Sequence, residues 1–81
     1  MPDRGELIGS TIRTLRTERK KTQDELSGLA GIARSHLAAI ESGKNSPTVE
    51  TLWRIADALN VKPSMILKAV EDRLWGVQNT L

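Results

Sequence analysis

Apolar residues recur every three to four positions along most of the chain, which is the period of an amphipathic α-helix. The pattern predicts helices over about residues 5–20, 22–30, 34–42, 48–59 and 63–75. The sequence contains neither the alternation typical of a strand nor an Asn-Gly or Asp-Gly hairpin signal. The chain is therefore predicted to have an all-α fold of five short helices.

Local signals mark the two ends of the predicted second helix. Thr22 and Glu25 have the spacing of a capping box at its start. Gly31 is expected to end it in a left-handed conformation, which costs glycine no steric penalty. Leu26 and Leu29 are expected to lie on the buried face of this helix.

The C-terminal part of the sequence is less clearly organised. Pro63 suits the first turn of the fifth helix, where its missing N–H group costs nothing. Gly76 is predicted to end this helix. Residues 77–81 have no clear assignment, and we treat them as a candidate disordered tail.

Residues 23–43, QDELSGLAGIARSHLAAIESG, have the layout of a helix, a glycine-centred turn and a second helix. Ser27 is small enough for the two helices to touch, and Leu37 and Ile40 are placed to anchor the second helix inward. A helix-turn-helix unit of this kind can place its second helix in the major groove of DNA. The spacing alone leaves a purely structural α-hairpin as an alternative.

The wider sequence resembles the lambda-Cro and phage-repressor type of helix-turn-helix domain, the XRE family, over about residues 7–67. The matching blocks are IxxLR at 12–16, TQDEL at 22–26, AGI at 30–32, IESGK at 40–44, SPT at 46–48 and TLWRIADALNV at 51–61. The chain departs from the family pattern at Ser27, Gly28 and Ala33. The resemblance implies a lambda-repressor-like domain over residues 1–81, with the helix-turn-helix formed by helices 2 and 3.

The resemblance also implies that the start of the third helix reads DNA bases. Arg34 is the first candidate, because an arginine can donate two hydrogen bonds to O6 and N7 of guanine. Ser35 is a weaker candidate. Ala38 and Ala39 lack hydrogen-bonding groups and are expected to pack on thymine methyl groups or to permit close approach. DNA shape is then expected to supply part of the specificity.

A second group of residues is predicted to contact DNA phosphates, again from the resemblance. They are Gln23, His36, Lys44, Asn45 and Ser46. The backbone N–H groups of residues 44–46 and the Thr48-capped start of the fourth helix are expected to face phosphate oxygens as well. The alternative is that these are ordinary solvated surface residues. Arg16 and Glu41 are expected to form a structural ion pair between the first and third helices.

Apolar residues on the fourth and fifth helices suggest a two-fold dimer interface. They are Trp53, Ile66, Val70, Leu74 and Trp75. The alternative is that they fill the core of the monomer. We favour a homodimer, because one small module makes few phosphate contacts and binds DNA weakly. Its two recognition helices would meet major grooves ~34 Å apart.

Composition excludes several other classes of protein. The 81 residues hold 12 Lys and Arg against 10 Asp and Glu, one His and no Cys, so disulfides and thiolate metal sites are excluded. We expect no cofactor, no metal and no small-molecule ligand, and neither a catalytic Ser-His-Asp set nor a glycine-rich phosphate loop occurs. Without an apolar run of ~18–20 residues or a signal-peptide pattern, a cytoplasmic protein is expected.

The leading hypothesis is therefore a homodimeric, sequence-specific transcriptional regulator that binds an inverted-repeat operator. The segment ARSHLAAIESGKNSPT resembles restriction–modification controller proteins, which activate and repress their own operon. A phage-type repressor and a plain autoregulator stay open. Asp24 and Glu25 are candidates for contacting RNA polymerase, although helix-dipole complementarity is the simpler interpretation. The alternative from another class is an antitoxin-type module that binds a toxin.

Overall fold

The computed structural model describes residues 2–78, with side chains through residue 75. This part of the chain contains five helices and no strand. The helices are α1 (Arg4–Glu18), α2 (Gln23–Ala30), α3 (Arg34–Glu41), α4 (Val49–Leu59) and α5 (Pro63–Gln78). The predicted all-α fold is confirmed. None of these helices is long and apolar enough to cross a membrane.

The local signals at the ends of α2 act as predicted. The Glu25 N–H donates to the Thr22 hydroxyl at 3.1 Å, and the Thr22 N–H donates to the Glu25 carboxylate at 2.9 Å. Gly31 ends the helix with a left-handed φ of 71°. Thr48 likewise caps α4, accepting a hydrogen bond from the Thr51 N–H at 3.1 Å. These ends depend on residues within one turn, so a local pattern is sufficient to locate them.

Two predicted helix ends are wrong. The first helix stops at Glu18, because Lys20 takes a left-handed φ of 56° in the turn that leads to α2. The fifth helix continues through Gly76 to Gln78. A glycine inside a helix costs only ~1 kcal/mol and does not by itself break it. Two residues of the candidate tail therefore belong to α5, and residues 79–81 lie outside the described residues.

The helices enclose one core of branched aliphatic side chains. Its fully buried large members are Ile12, Leu26, Leu37, Ile40, Ile55, Leu59 and Ile66. Helix α1 packs against α3 and α5, and α2 packs against α3 and α4. Leu29 was expected in this core but is 62% exposed, because the buried side of α2 is taken by Leu26, Ser27 and Ala30. Helix α3 is thus held from behind by α1 and α2.

One residue assigned to the dimer surface lies in the monomer core instead. Ile66 is fully buried, because α5 turns this side towards the rest of the fold, so its assignment to an exposed interface is corrected. Val70 is only 5% exposed but lines a groove with Leu67 and Leu74, so its assignment to the interface stays a prediction. Trp53 and Trp75 are exposed, and Leu74 is half-buried.

Candidate nucleic-acid interface

The turn between α2 and α3 is built on two small residues. Ser27 is buried, and its hydroxyl donates to the Asp24 carbonyl at 3.1 Å, so the contact point satisfies its own polar group. The Ile32 N–H donates back to the Ser27 carbonyl at 3.0 Å, after Gly31 has reversed the chain. These bonds set the angle at which α3 leaves α2.

Helix α3 has one buried side and one open side. Leu37, Ile40 and Glu41 are buried, at the spacing of one helix face. Ser35 is exposed and Ala39 is half-buried on the opposite side. The open side therefore presents small side chains that allow close approach to a ligand.

None of the predicted base-reading residues of α3 is buried, although Arg34 precedes Leu37 by three positions and so lies on the same side of the helix. Arg34 and Ser35 are exposed, while Ala38 and Ala39 are half-buried beside them. Ser42, at the C-cap, follows Ser35 by seven positions and is also exposed, so it extends the same face. Ser42 was not among the predicted site residues, although its helical spacing from Ser35 indicates the shared face.

Arg16 and Glu41 form a two-point ion pair at the back of α3. The Arg16 Nε donates to Glu41 Oε2 at 2.7 Å, and Nη2 donates to Oε1 at 3.0 Å. Both side chains are largely buried, at 12% and 3% exposed. The hydrogen bonds that Arg16 donates to the Glu41 carboxylate raise the pKa of Arg16 above its ordinary value. The remaining Arg16 Nη1 donates to the Lys21 carbonyl at 2.8 Å.

Gln23 joins this ion pair rather than standing free. Its Nε2 donates to Glu41 Oε1 at 3.1 Å, which connects the first residue of α2 to the last residue of α3. An amide nitrogen carries two N–H donors, so this bond leaves one of them for a phosphate oxygen. The Glu41 carboxylate of α3 thus accepts hydrogen bonds from Arg16 of α1 and Gln23 of α2. We call these three residues the buried clamp, because they join three helices.

The segment after α3 differs from its prediction in one respect. The N–H groups of Lys44 and Asn45 both donate to the Ala39 carbonyl, at 3.0 and 3.2 Å. They close the C-terminus of α3, so the prediction that these backbone groups face phosphate is wrong. The side chains of Lys44, Asn45 and Ser46 are exposed. Any phosphate contact by Lys44 or Asn45 must therefore come from the side chain.

A close approach of α1 to α3 was missed by the sequence analysis. Gly9 is buried, and a Cβ placed on it would overlap the Ile40 carbonyl oxygen and lie 2.9 Å from the Glu41 carbonyl oxygen. Only a residue without a side chain fits there. Helical periodicity treats Gly9 as a neutral position and gives no signal of this contact.

The acidic residues at the start of α2 have separate partners. Glu25 closes the capping box, and the hydrogen bond from the Thr22 N–H lowers the pKa of its carboxyl. Asp24 Oδ1 lies 3.4 Å from Arg34 Nε, across the helix-turn-helix. His36 is half-buried on α3. No group of three or more His, Cys, Asp or Glu side chains within the described residues is placed to hold a metal ion.

The fold and sequence match known DNA-binding regulators. The family described as helix-turn-helix matches residues 12–66, which include all of α2, α3 and α4. The uncharacterized HTH-type transcriptional regulator y4dJ of Sinorhizobium fredii is 32% identical over 76 residues, covering 94% of this chain and 99% of that protein. The immunity repressor protein of Bacillus phage phi105 is 40% identical over 60 residues, covering 74% of this chain and 42% of the repressor.

Solved structures show the same architecture. The restriction-modification controller protein C.AhdI from Aeromonas hydrophila has a TM-score of 0.74 and 28% identity, covering 75% of this chain and 92% of that one. The clp gene regulator ClgR from C. glutamicum has a TM-score of 0.84, covering 91% and 96% of the two chains. At 22% identity, this second likeness is one of fold alone.

Proposed function

Because the chain belongs to the helix-turn-helix family of DNA-binding transcription regulators, we propose that it binds an inverted-repeat operator as a homodimer and controls transcription there. The observation that supports this best is the division of α3. Its inner side is fixed by Leu37, Ile40 and the buried clamp, while its outer side stays open. A helix that packs on the core with one side and carries small side chains on the other is suited to the major groove.

We assign the two kinds of DNA contact to different residues, since base contacts specify a sequence and phosphate contacts position the protein. Base contacts are assigned to Arg34, Ser35, Ala38 and Ala39. Phosphate contacts are assigned to the side chains of Gln23, His36, Lys44, Asn45 and Ser46. The second N–H of the Gln23 amide is the donor proposed for phosphate.

Selection of bound sequences from a random DNA pool, at fixed near-physiological salt, tests this function. We expect an enriched inverted repeat whose half-sites are spaced by about one helical turn. A pool without enrichment, or binding that is equal for all sequences and lost at moderate salt, would contradict sequence-specific regulation.

For the dimer we propose the exposed apolar surface between α1 and α5 as the interface. Leu67 is 49% exposed, and it lines a groove with Arg4, Ile8, Val70, Glu71, Leu74 and Trp75. Trp53, predicted for the interface, is not among the residues that line this groove. The occupant is a second copy of the chain, because an inverted repeat requires two recognition helices related by a two-fold axis.

A pair of matched variants tests this interface. Leu67→Lys should shift the protein to a monomer in sedimentation velocity, because it places a charge in the groove. Met65→Lys is the control, since Met65 is 48% exposed and lies outside this groove. A monomeric wild type, or an equal effect of both variants, would contradict this interface.

The operon under control is a finer proposal. The resemblance of residues 33–48 to controller proteins, together with the likeness to C.AhdI, supports control of a restriction–modification operon. Footprinting on the promoter of the chain's own operon tests this proposal, together with measurements of whether the protein activates or represses transcription there.

Contact with RNA polymerase through Asp24 or Glu25 stays a prediction. We place the protein in the cytoplasm, with the DNA that it regulates, and no comparison favours the antitoxin alternative.

A further inference from the structure

An ion pair crosses the open side of the helix-turn-helix, between the first turn of α2 and the first residue of α3. Arg34 Nε lies 3.4 Å from Asp24 Oδ1, and the side chains are 64% and 76% exposed. Within the described residues, the only other ion pair between two helices is that of Arg16 and Glu41. An exposed pair of this kind adds little to folding stability, so its place beside the proposed base reader needs another explanation.

Arg34 stands at a position that disfavours a cation. It is the first residue of α3, where the helix dipole is positive, and Ala33 provides no side-chain cap. Asp24 supplies the nearby negative charge that offsets this. The carboxylate also restrains a long side chain that would otherwise sample many rotamers in solvent.

The recorded contact of Asp24 with the guanidinium is at Nε, where Oδ1 lies 3.4 Å away. The planar guanidinium carries its other four N–H donors on Nη1 and Nη2. Recognition of guanine uses two parallel N–H donors, to O6 and N7. An arginine bound by a carboxylate at Nε therefore keeps the pair of donors that guanine requires.

We propose that Asp24 is a positioning residue for sequence recognition, which orients the Arg34 guanidinium so that its terminal nitrogens face a guanine. This inference rests on the proposed function, since it assumes that Arg34 reads a base. Asp24 itself lies on α2 and acts through Arg34. Holding the donor pair in its bound orientation before DNA arrives reduces the ordering that binding demands.

Simple electrostatics makes the opposite prediction. An acidic side chain near DNA repels phosphate, so removing its charge should strengthen binding to every sequence alike. A positioning role predicts a loss that is confined to the base pair read by Arg34. The two explanations are therefore separated by the sign of the effect and by its dependence on sequence.

The experiment compares Asp24→Asn with Asp57→Asn, an identical change at an exposed position on α4. Competition binding at fixed salt measures affinity for the selected operator and for its three substitutions at the position where Arg34→Ala removes the preference. We expect Asp24→Asn to reduce the preference for guanine about two- to five-fold, the size typical of an exposed ion pair. Affinity for unrelated DNA should stay the same or rise, as with Asp57→Asn.

A double variant confirms that the effect passes through Arg34. In the Arg34→Ala background, adding Asp24→Asn should leave base preference unchanged. The inference is overturned if Asp24→Asn keeps the wild-type preference, or if it changes preference equally with and without Arg34. If Arg34→Ala itself leaves preference intact, the base-reader assignment has failed instead, which is a separate result. Circular dichroism checks that each variant is folded.

Discussion

The two ion pairs that join α3 to other helices differ in burial, geometry and consequence. Arg16 and Glu41 meet through two hydrogen bonds behind α3 and are almost fully buried. Arg34 and Asp24 approach through a single contact of 3.4 Å in solvent. If either residue of the first pair turned to another partner, a buried charge would be left unpaired. Arg34 of the second pair can turn to another partner in solvent at little cost. The comparison separates the residues that hold the recognition helix from those that are free to meet DNA.

The largest expected effect breaks the buried pair. Glu41→Ala should lower the free energy of unfolding by about 3–5 kcal/mol, because it leaves the Arg16 guanidinium buried without a carboxylate. It also removes the acceptor of Gln23. Urea denaturation measures the loss. Asp24→Ala is the matched control and should cost less than about 1 kcal/mol; equal losses would contradict the distinction between the pairs.

A second change tests the close approach behind α3. Gly9→Ala should destabilise by about 1–3 kcal/mol or more, because its new methyl group overlaps the carbonyl oxygens of Ile40 and Glu41. Gly28→Ala is the same chemical change on α2, with nothing within 4 Å of the added Cβ. It should stabilise by about 0.5–1 kcal/mol. Thermal unfolding measures the midpoint temperature of each variant. A shift in the same direction for both would contradict the close approach at Gly9.

Changes to the exposed residues are expected to alter DNA binding rather than folding stability. Arg34→Ala should cost about 1–3 kcal/mol of binding to the selected operator and relax the preference at one base pair. Lys44→Ala should weaken binding to all sequences alike and reduce the salt slope by about one. Titrations at several salt concentrations measure both. Unchanged sequence preference in Arg34→Ala would remove it as the base reader.

The smallest expected effect concerns pH. The pKa of Glu25 is lowered in the folded protein by the hydrogen bond from the Thr22 N–H, so its ionised form stabilises the fold. That contribution is complete above the unfolded value of about 4.3 and is lost as the pH falls through the lower folded pKa. Glu25→Gln should therefore be less stable than wild type at pH 7, with a gap that narrows towards pH 3. A gap independent of pH would show that the charge of Glu25 contributes nothing.

Local patterns were sufficient for much of the fold and for the outline of the candidate site. Thr22, Glu25 and Gly31 bracket α2 through contacts within one turn of helix, which neighbouring residues dictate. Leu37 and Ile40 recur at the helical period, and that period identifies which side of α3 is buried. The open side at Ser35 and Ala39 follows by subtraction, whereas Arg34 shares the side of Leu37 and is nevertheless exposed at the first residue of the helix.

Contacts between distant segments were beyond such patterns. Leu29 and Ile66 are both apolar residues at helical spacing, yet Leu29 is exposed and Ile66 is buried. Which helix face is covered depends on where the neighbouring helices pack, and the order of residues in one helix does not encode that. The bonds from the Lys44 and Asn45 N–H groups to the Ala39 carbonyl are local by contrast, since they close the end of α3 at a left-handed Gly43.

By itself, the sequence determined the helical content, the turn at Gly31 and the family to which the chain belongs, because each depends on short-range spacing. The tertiary structure alone decided that Gly9 admits no side chain, that Gln23 shares the Glu41 carboxylate and that Asp24 lies beside Arg34. These three facts join segments separated along the chain. Only the packing of complete helices brings such segments into contact. The residues are too far apart in the sequence for a local pattern to indicate the contact.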